Sequence, residues 1–216
     1  MPPETGSRDD MTDDAYMTIG APARAEIKVQ GSRFLAFCYP ARTREEALDR
    51  LKALRKEYHD ATHHCFAYRL GARGEDFRTA DDGEPSGTAG KPLLSAIDRR
   101  GLSDLMVVVV RYFGGTRLGV GGLARAYAAA AEAVLAAAPA ETRYDRISIF
   151  LGFGHPLTPR VMRAVNAAGA AVSGSWYDSD AHLEISVRRS AAEALRRSLL
   201  EATNGAIRFE EGKRGA

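Results

Sequence analysis

The sequence predicts an α/β (α+β) protein of two domains. Three observations carry that expectation. The run Leu105 to Val110 is short, apolar and rich in β-branched residues, as suits a strand covered on both faces, and an alanine-rich helical segment follows it from Leu123. A polar, proline-containing stretch at Pro139 to Arg143 then follows the helix end, as a linker would. Beyond it the pattern changes to short alternating strands interleaved with two capped helices.

Taken in order, residues 1–15 combine Pro, Gly, Ser and Asp with almost no apolar content and are expected to be a disordered tail, with order starting at Tyr16. Ala25 to Val29 alternates apolar and polar residues, Gln30-Gly31 turns, and Phe34 to Tyr39 returns as the second strand of a hairpin. Thr43 with Glu46 three residues later is a capping-box signature. Ala47, Leu48, Leu51, Leu54 and Tyr58 then recur on one helical face. His63 to Leu70 reads as a third strand, and an acidic glycine loop follows. Asp81 to Pro92 (DDGEPSGTAGKP) opens a short helix over about 91 to 99, in which Pro92 suits the first helical position. Then come the central strand, a basic aromatic glycine loop from Arg111 to Leu123, and the long helix to about Ala138. This order, β-β-α-β-α-β-α, predicts a mixed sheet for a first domain over 16–140.

The second domain, 144–211, reads β-α-β-β-α-β. Its strands are Arg146 to Phe153, Ala171 to Tyr177, His182 to Arg188 and Ala206 to Glu210. Thr158-Pro159 starts one helix, and Ser190 with Glu193 caps the other. That order is the ferredoxin-like split arrangement.

Composition bounds the function. The net charge is only +2 over 216 residues. This permits an RNA partner without requiring one. Two cysteines, Cys38 and Cys65, cannot build a disulfide framework, and no uninterrupted apolar run reaches the ~20 residues of a membrane span. With acids where a signal peptide needs basic and then apolar residues, the chain is expected to be cytoplasmic.

The two glycine loops are the candidate site, expected to lie side by side. Each opens a helix whose free N–H groups favour an anion, and glycines allow close approach. Lys91, Arg111, Arg117, Gly119 and Gly121 would hold phosphate or nucleic acid, with Tyr112 and Phe113 as stacking platforms. Asp81, Asp82, Gly83, Glu84, Pro85 and His64 would shape the loop or act as acid and base. Against this stands a purely structural reading, in which the glycines shape interlocking loops, the aromatics are core, and the arginines pair with Asp81, Asp82 or Glu84. A P-loop is rejected because Lys91 is followed by Pro92 where a hydroxyl is needed on magnesium. Gly119 to Ala124 fits a dinucleotide fingerprint only loosely. His59, His63, His64 and Cys65 offer too few ligands at zinc spacing. Cys65 as a nucleophile with His63 beside it needs a hydrogen-bond geometry that strand neighbours two apart do not automatically reach, and no Ser-His-Asp set is placeable. No catalytic residue, metal or cofactor is therefore assigned.

Four stretches, Val29 to Phe34, His63 to Arg69, Asp81 to Pro92 and Val110 to Leu123, together resemble the IMPACT family, its bacterial YigZ branch in particular. The resemblance runs from about residue 16 to the C-terminus. It implies a first domain with the left-handed β-α-β superfold of elongation factor G domain IV and a ferredoxin-like second domain. It suggests a translation-linked regulator that binds RNA or the ribosome, with a protein partner as a further option. The kinase-regulating role of eukaryotic relatives is not expected to carry over, because they use an additional N-terminal interaction domain that the short, polar leading segment is not expected to replace. The alternative from another class is an enzyme acting on a phosphorylated small molecule through the same loops.

Overall fold

The computed structural model describes residues 14–211, and the chain divides into two compact units. One is Tyr16–Arg143, and the other joins residues 14–15 to the chain from Tyr144 onward.

The first unit is built on a five-stranded sheet. Strands β1 (Ala15–Ile19), β2 (Ala23–Val29) and β3 (Ser32–Pro40) lead to helix α1 (Arg44–Glu57). Then come β4 (His63–Leu70), β5 (Asp76–Ala80), α2 (Gly90–Arg99), β6 (Leu105–Tyr112) and α3 (Gly119–Ala137), and β7 (Ala140–Tyr144) closes the series. The sheet order is β2-β3-β6-β4-β5, with β1 and β7 forming a separate pair. Every adjacent pair in the five-stranded sheet is antiparallel, where a mixed sheet was expected. The reason is that each crossover skips a strand: β3-α1-β4 spans β6 and β5-α2-β6 spans β4, so strands running the same way never become neighbours.

Central β6 reads LMVVVVRY and is buried along almost its whole length. Alternation divides its residues between two cores. Met106, Val108 and Val110 meet Leu51 and Leu54 of α1 on one face. Leu105, Val107 and Val109 meet Leu93 and Ile97 of α2 and Tyr127, Ala130 and Val134 of α3 on the other. The helix α3 is long and apolar enough, by length and composition alone, to cross a bilayer. Here its Leu123, Ala126, Tyr127, Ala130, Ala131, Val134 and Leu135 are buried in the core. Its small residues allow the close packing that the alanine-rich sequence implied.

At α1, Thr43 Oγ accepts from Glu46 N at 3.1 Å, and the Glu46 carboxylate accepts from Arg42 N at 2.7 Å. The helical N-cap foreseen at Thr43 therefore forms, with the return bond one residue earlier than in the usual box.

The second unit is a four-stranded antiparallel sheet, order β11-β8-β10-β9, made of β8 (Arg146–Phe153), β9 (Ala171–Tyr177), β10 (Ala181–Arg188) and β11 (Arg208–Glu210). Helices α4 (Thr158–Ala167) and α5 (Ala192–Ala202) complete the β-α-β-β-α-β order. Its core joins Ile149, Leu151, Phe153, Val161, Val165, Leu183, Ile185, Leu195 and Leu199. Ser190 does not cap α5, whose start carries no side-chain cap. Its backbone N–H and hydroxyl both donate to the buried carboxylate of Asp14. Of the tail expected over 1–15, residues 1–13 lie outside the described residues. Asp14 and Ala15 belong to the fold, Asp14 as the acceptor that Ser190 uses and Ala15 as the first residue of β1.

Candidate functional site: a cleft at the start of α3

Strand register assembles the floor of the site. Arg111 of β6 stands opposite Phe34 of β3 on one side and His63 of β4 on the other, so Phe34, Arg111 and His63 form one row across the sheet. The next row on the same face is Ala36, Val109 and Cys65. Tyr127 of α3 packs its ring edge-on to Phe34 at 5.2 Å between centroids.

Over this row lies the Asp81 to Pro92 loop. Arg111 Nη1 donates to Glu84 Oε1 at 2.6 Å, and the Tyr127 hydroxyl donates to the same oxygen at 2.8 Å. His63 Nε2 is 3.7 Å from it. Both Glu84 and Arg111 are buried. Cys65 Sγ lies 3.3 Å from the Tyr127 oxygen and 3.0 Å from the carbonyl of Asp81. Burial pushes the Cys65 thiol up to about 12. Burial, with Cys65 and Glu84 next, also raises the Tyr127 phenol. Neither group is an ionised nucleophile at neutral pH.

The two acids that head the loop hold its shape. Asp81 accepts from the N–H groups of Gly87, Ala89 and Gly90 at 2.8, 2.9 and 2.8 Å. Burial alone would raise its carboxyl, but those three bonds and nearby Lys91 bring it below its ordinary value. Asp81 thus takes the Ala89 and Gly90 N–H groups at the start of α2, where Pro92 has none to offer, so that helix end is largely satisfied from within the loop. Asp82, at φ 44°, accepts from His64 N at 2.7 Å and from Arg55 at 2.6 Å, while its carbonyl accepts from His63 Nδ1 at 2.8 Å. Gly83 has φ 90°, a conformation that L side chains rarely adopt. Pro85 accepts from Thr88 N at 3.0 Å through its carbonyl, which closes the turn.

The second loop is shorter than its sequence suggested. β6 runs through Tyr112 and α3 begins at Gly119, which leaves 113–118 as the connection and puts Gly121 in the first helical turn. The two loops meet around a cleft of about 280 Å³ lined by Glu84, Pro85, Arg111, Phe113, Arg117, Leu118, Gly119, Val120 and Leu123. At its rim Phe113 is 49% and Val120 65% exposed. Arg117 is exposed and makes no hydrogen bond or ion pair among the described residues. The first turn of α3 has no side-chain cap and no acid, so its leading N–H groups and the positive end of the helix dipole face the cleft mouth uncompensated.

Not every residue expected at the site reaches it. Tyr112 points to the α1 face, where its hydroxyl donates to Asp60 at 2.8 Å and Arg33 stacks 5.6 Å over its ring. His64 is buried, and burial lowers its pKa. Alternation along β4 puts it on the α1 face with Phe66. Lys91 is exposed on α2 and outside the cleft lining. Arg111 is present but engaged by Glu84, with its second Nη donating to Ser32 Oγ at 3.2 Å. Sequence reasoning did not single out Tyr127 or Ser32. A lone tyrosine among the alanines of a core helix was the signal for the first. The second sat unused within the Val29 to Phe34 motif. No group of three or more metal-ligating side chains occurs among the described residues.

A family model described as the Impact N-terminal domain matches residues 30–135, which include both loops and the whole cleft. The chain is 31% identical over 200 residues to "IMPACT family member YvyE" of Bacillus subtilis, covering 92% of each. The chain belongs to the IMPACT family. Among its IMPACT relatives, YigZ of Escherichia coli is 38% identical over 116 residues, 53% of this chain and 57% of that one. A Thermus thermophilus member is 44% identical over 133 residues, 62% and 71% of the two chains. A solved structure described as a hypothetical protein superposes with a TM-score of 0.73 at 25% identity. It covers 94% of this chain and 100% of its own.

Proposed function

We propose that this IMPACT-family chain is a cytoplasmic, translation-linked regulator that binds single-stranded RNA, free or on the ribosome, at the cleft of the first unit. One observation carries the reading: exposed Phe113 and unpaired Arg117 stand together at the uncapped start of α3. An aromatic face takes an unpaired base, while a free guanidinium and helix N–H groups take the adjoining phosphate. The translation link rests on the family resemblance.

Arg111 is a support in this reading. It holds Glu84, Ser32 and the Phe113 ring, over which its guanidinium lies at 5.6 Å. Removing it would break the loop rather than report on recognition.

The test is titration of single-stranded RNA at several salt concentrations. Arg117→Ala should lower the slope of log affinity against log salt by ~0.7, the value for one phosphate contact. Phe113→Ala should cost ~1–3 kcal/mol with the slope unchanged. RNA binding that is absent or indifferent to salt would overturn the reading. A small phosphorylated metabolite co-purifying instead would favour an enzyme built on the buried Glu84 carboxylate at the cleft floor.

A further inference from the structure

Resting on that reading of the cleft, we infer that it takes a phosphomonoester joined to a nucleobase, meaning a phosphorylated end or a single nucleotide, and not the interior of a strand.

The first observation is size. At about 280 Å³ the cleft falls just below the ~300–1,000 Å³ of ordinary ligand pockets, which leaves room for one phosphate and one ring but not for a run of stacked bases. Glu84, Arg111 and Leu123 of its lining are buried, while Phe113, Arg117, Gly119 and Val120 are exposed, so a ligand enters past these four.

The second observation is the surplus of donors. The N–H groups of Leu118, Gly119, Val120 and Gly121 begin α3 without a cap. Arg117 adds a free guanidinium at the rim. At the inner wall Arg111, 4% exposed, keeps its Nε–H buried and without any hydrogen-bond partner, although its two Nη atoms are engaged. That N–H has no exposed surface, so an acceptor reaches it only if Arg111 shifts, and the donors open to a ligand are those of Arg117 and the start of α3. Glu84 is the one carboxylate lining the cleft, and it is already matched by Arg111 and Tyr127. A terminal phosphate offers three free oxygens and up to two charges to this set, whereas an internal phosphodiester offers two oxygens and one charge.

The third is the exposed ring of Phe113 beside these donors. It selects a phosphate that carries an aromatic base over inorganic phosphate.

The experiment compares one short RNA in four forms: 5′-phosphorylated, 3′-phosphorylated, unphosphorylated, and circular without ends. Mononucleotides and inorganic phosphate are titrated alongside. The expected result is that at least one phosphorylated end binds roughly tenfold or more tighter than the unphosphorylated and circular forms, and that a mononucleotide competes better than inorganic phosphate.

Val120→Asp supplies a variant to set beside the unaltered protein. An acid in the first turn suits the helix and leaves the fold intact, but it would occupy the anion position and remove the preference for phosphorylated ends. Equal binding of all four RNA forms would overturn the inference and leave RNA binding standing. Mononucleotide binding with no RNA binding would support the inference and overturn the RNA reading. Binding of neither would overturn both.

Discussion

Gly114 and Gly31 lie backbone against backbone. A Cβ on Gly114 would sit 1.9 Å from the Gly31 carbonyl carbon and 2.1 Å from Ser32 N, while one on Gly31 would meet the Gly114 carbonyl oxygen at 2.8 Å. Two glycines far apart in the chain are therefore needed for one contact, where the loop after β6 rests on the β2–β3 turn. Ser32 Oγ completes it by accepting from Gly114 N at 3.2 Å. The contact has no ligand in it.

It predicts a graded glycine series. Gly114→Ala should destabilise the protein by about 2–3 kcal/mol, the upper range for overpacking, because backbone must move on both sides. Gly115→Ala, where φ is 85° but a Cβ would meet nothing within 4 Å, should cost only ~1 kcal/mol of backbone strain. Denaturant unfolding of both variants measures the difference, and equal losses would show that the Gly31 contact is not tight.

The buried Glu84–Arg111 pair should respond as a unit. Arg111→Met leaves a buried carboxylate with only Tyr127 and neighbouring His63, and should destabilise by ~3–5 kcal/mol. Adding Glu84→Gln should recover most of that loss, since the charge left behind is gone and the Tyr127 hydrogen bond is retained. A double variant no more stable than Arg111→Met would mean that the arginine acts through packing on Phe34 and Phe113, over whose rings it lies at 5.3 and 5.6 Å.

Asp81 should contribute acid-sensitive stability. Its folded pKa is below the ordinary 3.8. Its stabilisation is therefore present above the unfolded value and is lost as pH falls through the folded one. Asp81→Asn should cost ~1–2 kcal/mol at pH 7, as loss of a helix cap does. The gap from the wild type should close progressively below about pH 4. Unfolding curves from pH 7 to pH 2 test this, and a gap independent of pH would exclude the charge as the cause.

In the second unit, Asp14→Ala removes the buried acceptor of the Ser190 N–H and hydroxyl and should cost ~1–3 kcal/mol. Ser190→Ala should cost less, because the backbone N–H at 2.9 Å still donates. If Ser190→Ala proved as damaging as Asp14→Ala, the hydroxyl bond alone would account for the effect.

These residues show where the sequence was readable. Strand β10 alternates buried and half-buried side chains along its whole length, and β6 opens on an unbroken apolar run with four successive valines, so the first declares itself through hydrophobic period and the second through its apolar run. Strands β5 (DFRTA) and β7 (AETRY) are short, lack buried residues and pair on one side only. Their residues read as loop and linker. The meeting of the two glycine loops was expected, and it occurs. Which arginine stays free was not legible, because that depends on cross-sheet register: Arg111 stands opposite Phe34 and His63 beneath Glu84, and Arg117 does not. Ser190 failed for a related reason. Its capping signature is local, and the partner it takes lies 176 residues away.

The thiols give the last prediction. Cys65 and His63 stand on one face of β4, two residues apart, as strand alternation requires. The fold then spends that arrangement differently. His63 Nδ1 donates to the Asp82 carbonyl, Cys65 lies against the Asp81 carbonyl and Tyr127, and burial holds the thiol at about 12. Cys38 is also buried, and burial holds it at about 11. At pH 8 both should therefore resist an aromatic disulfide reagent in the native protein and react at once in denaturant, the native rate being set by opening of the first unit. Cys65→Ser should leave RNA affinity unchanged while lowering stability, since a hydroxyl replaces a well-packed sulfur. Rapid native labelling of Cys65, or loss of binding in the serine variant without loss of stability, would restore the reactive-cysteine reading.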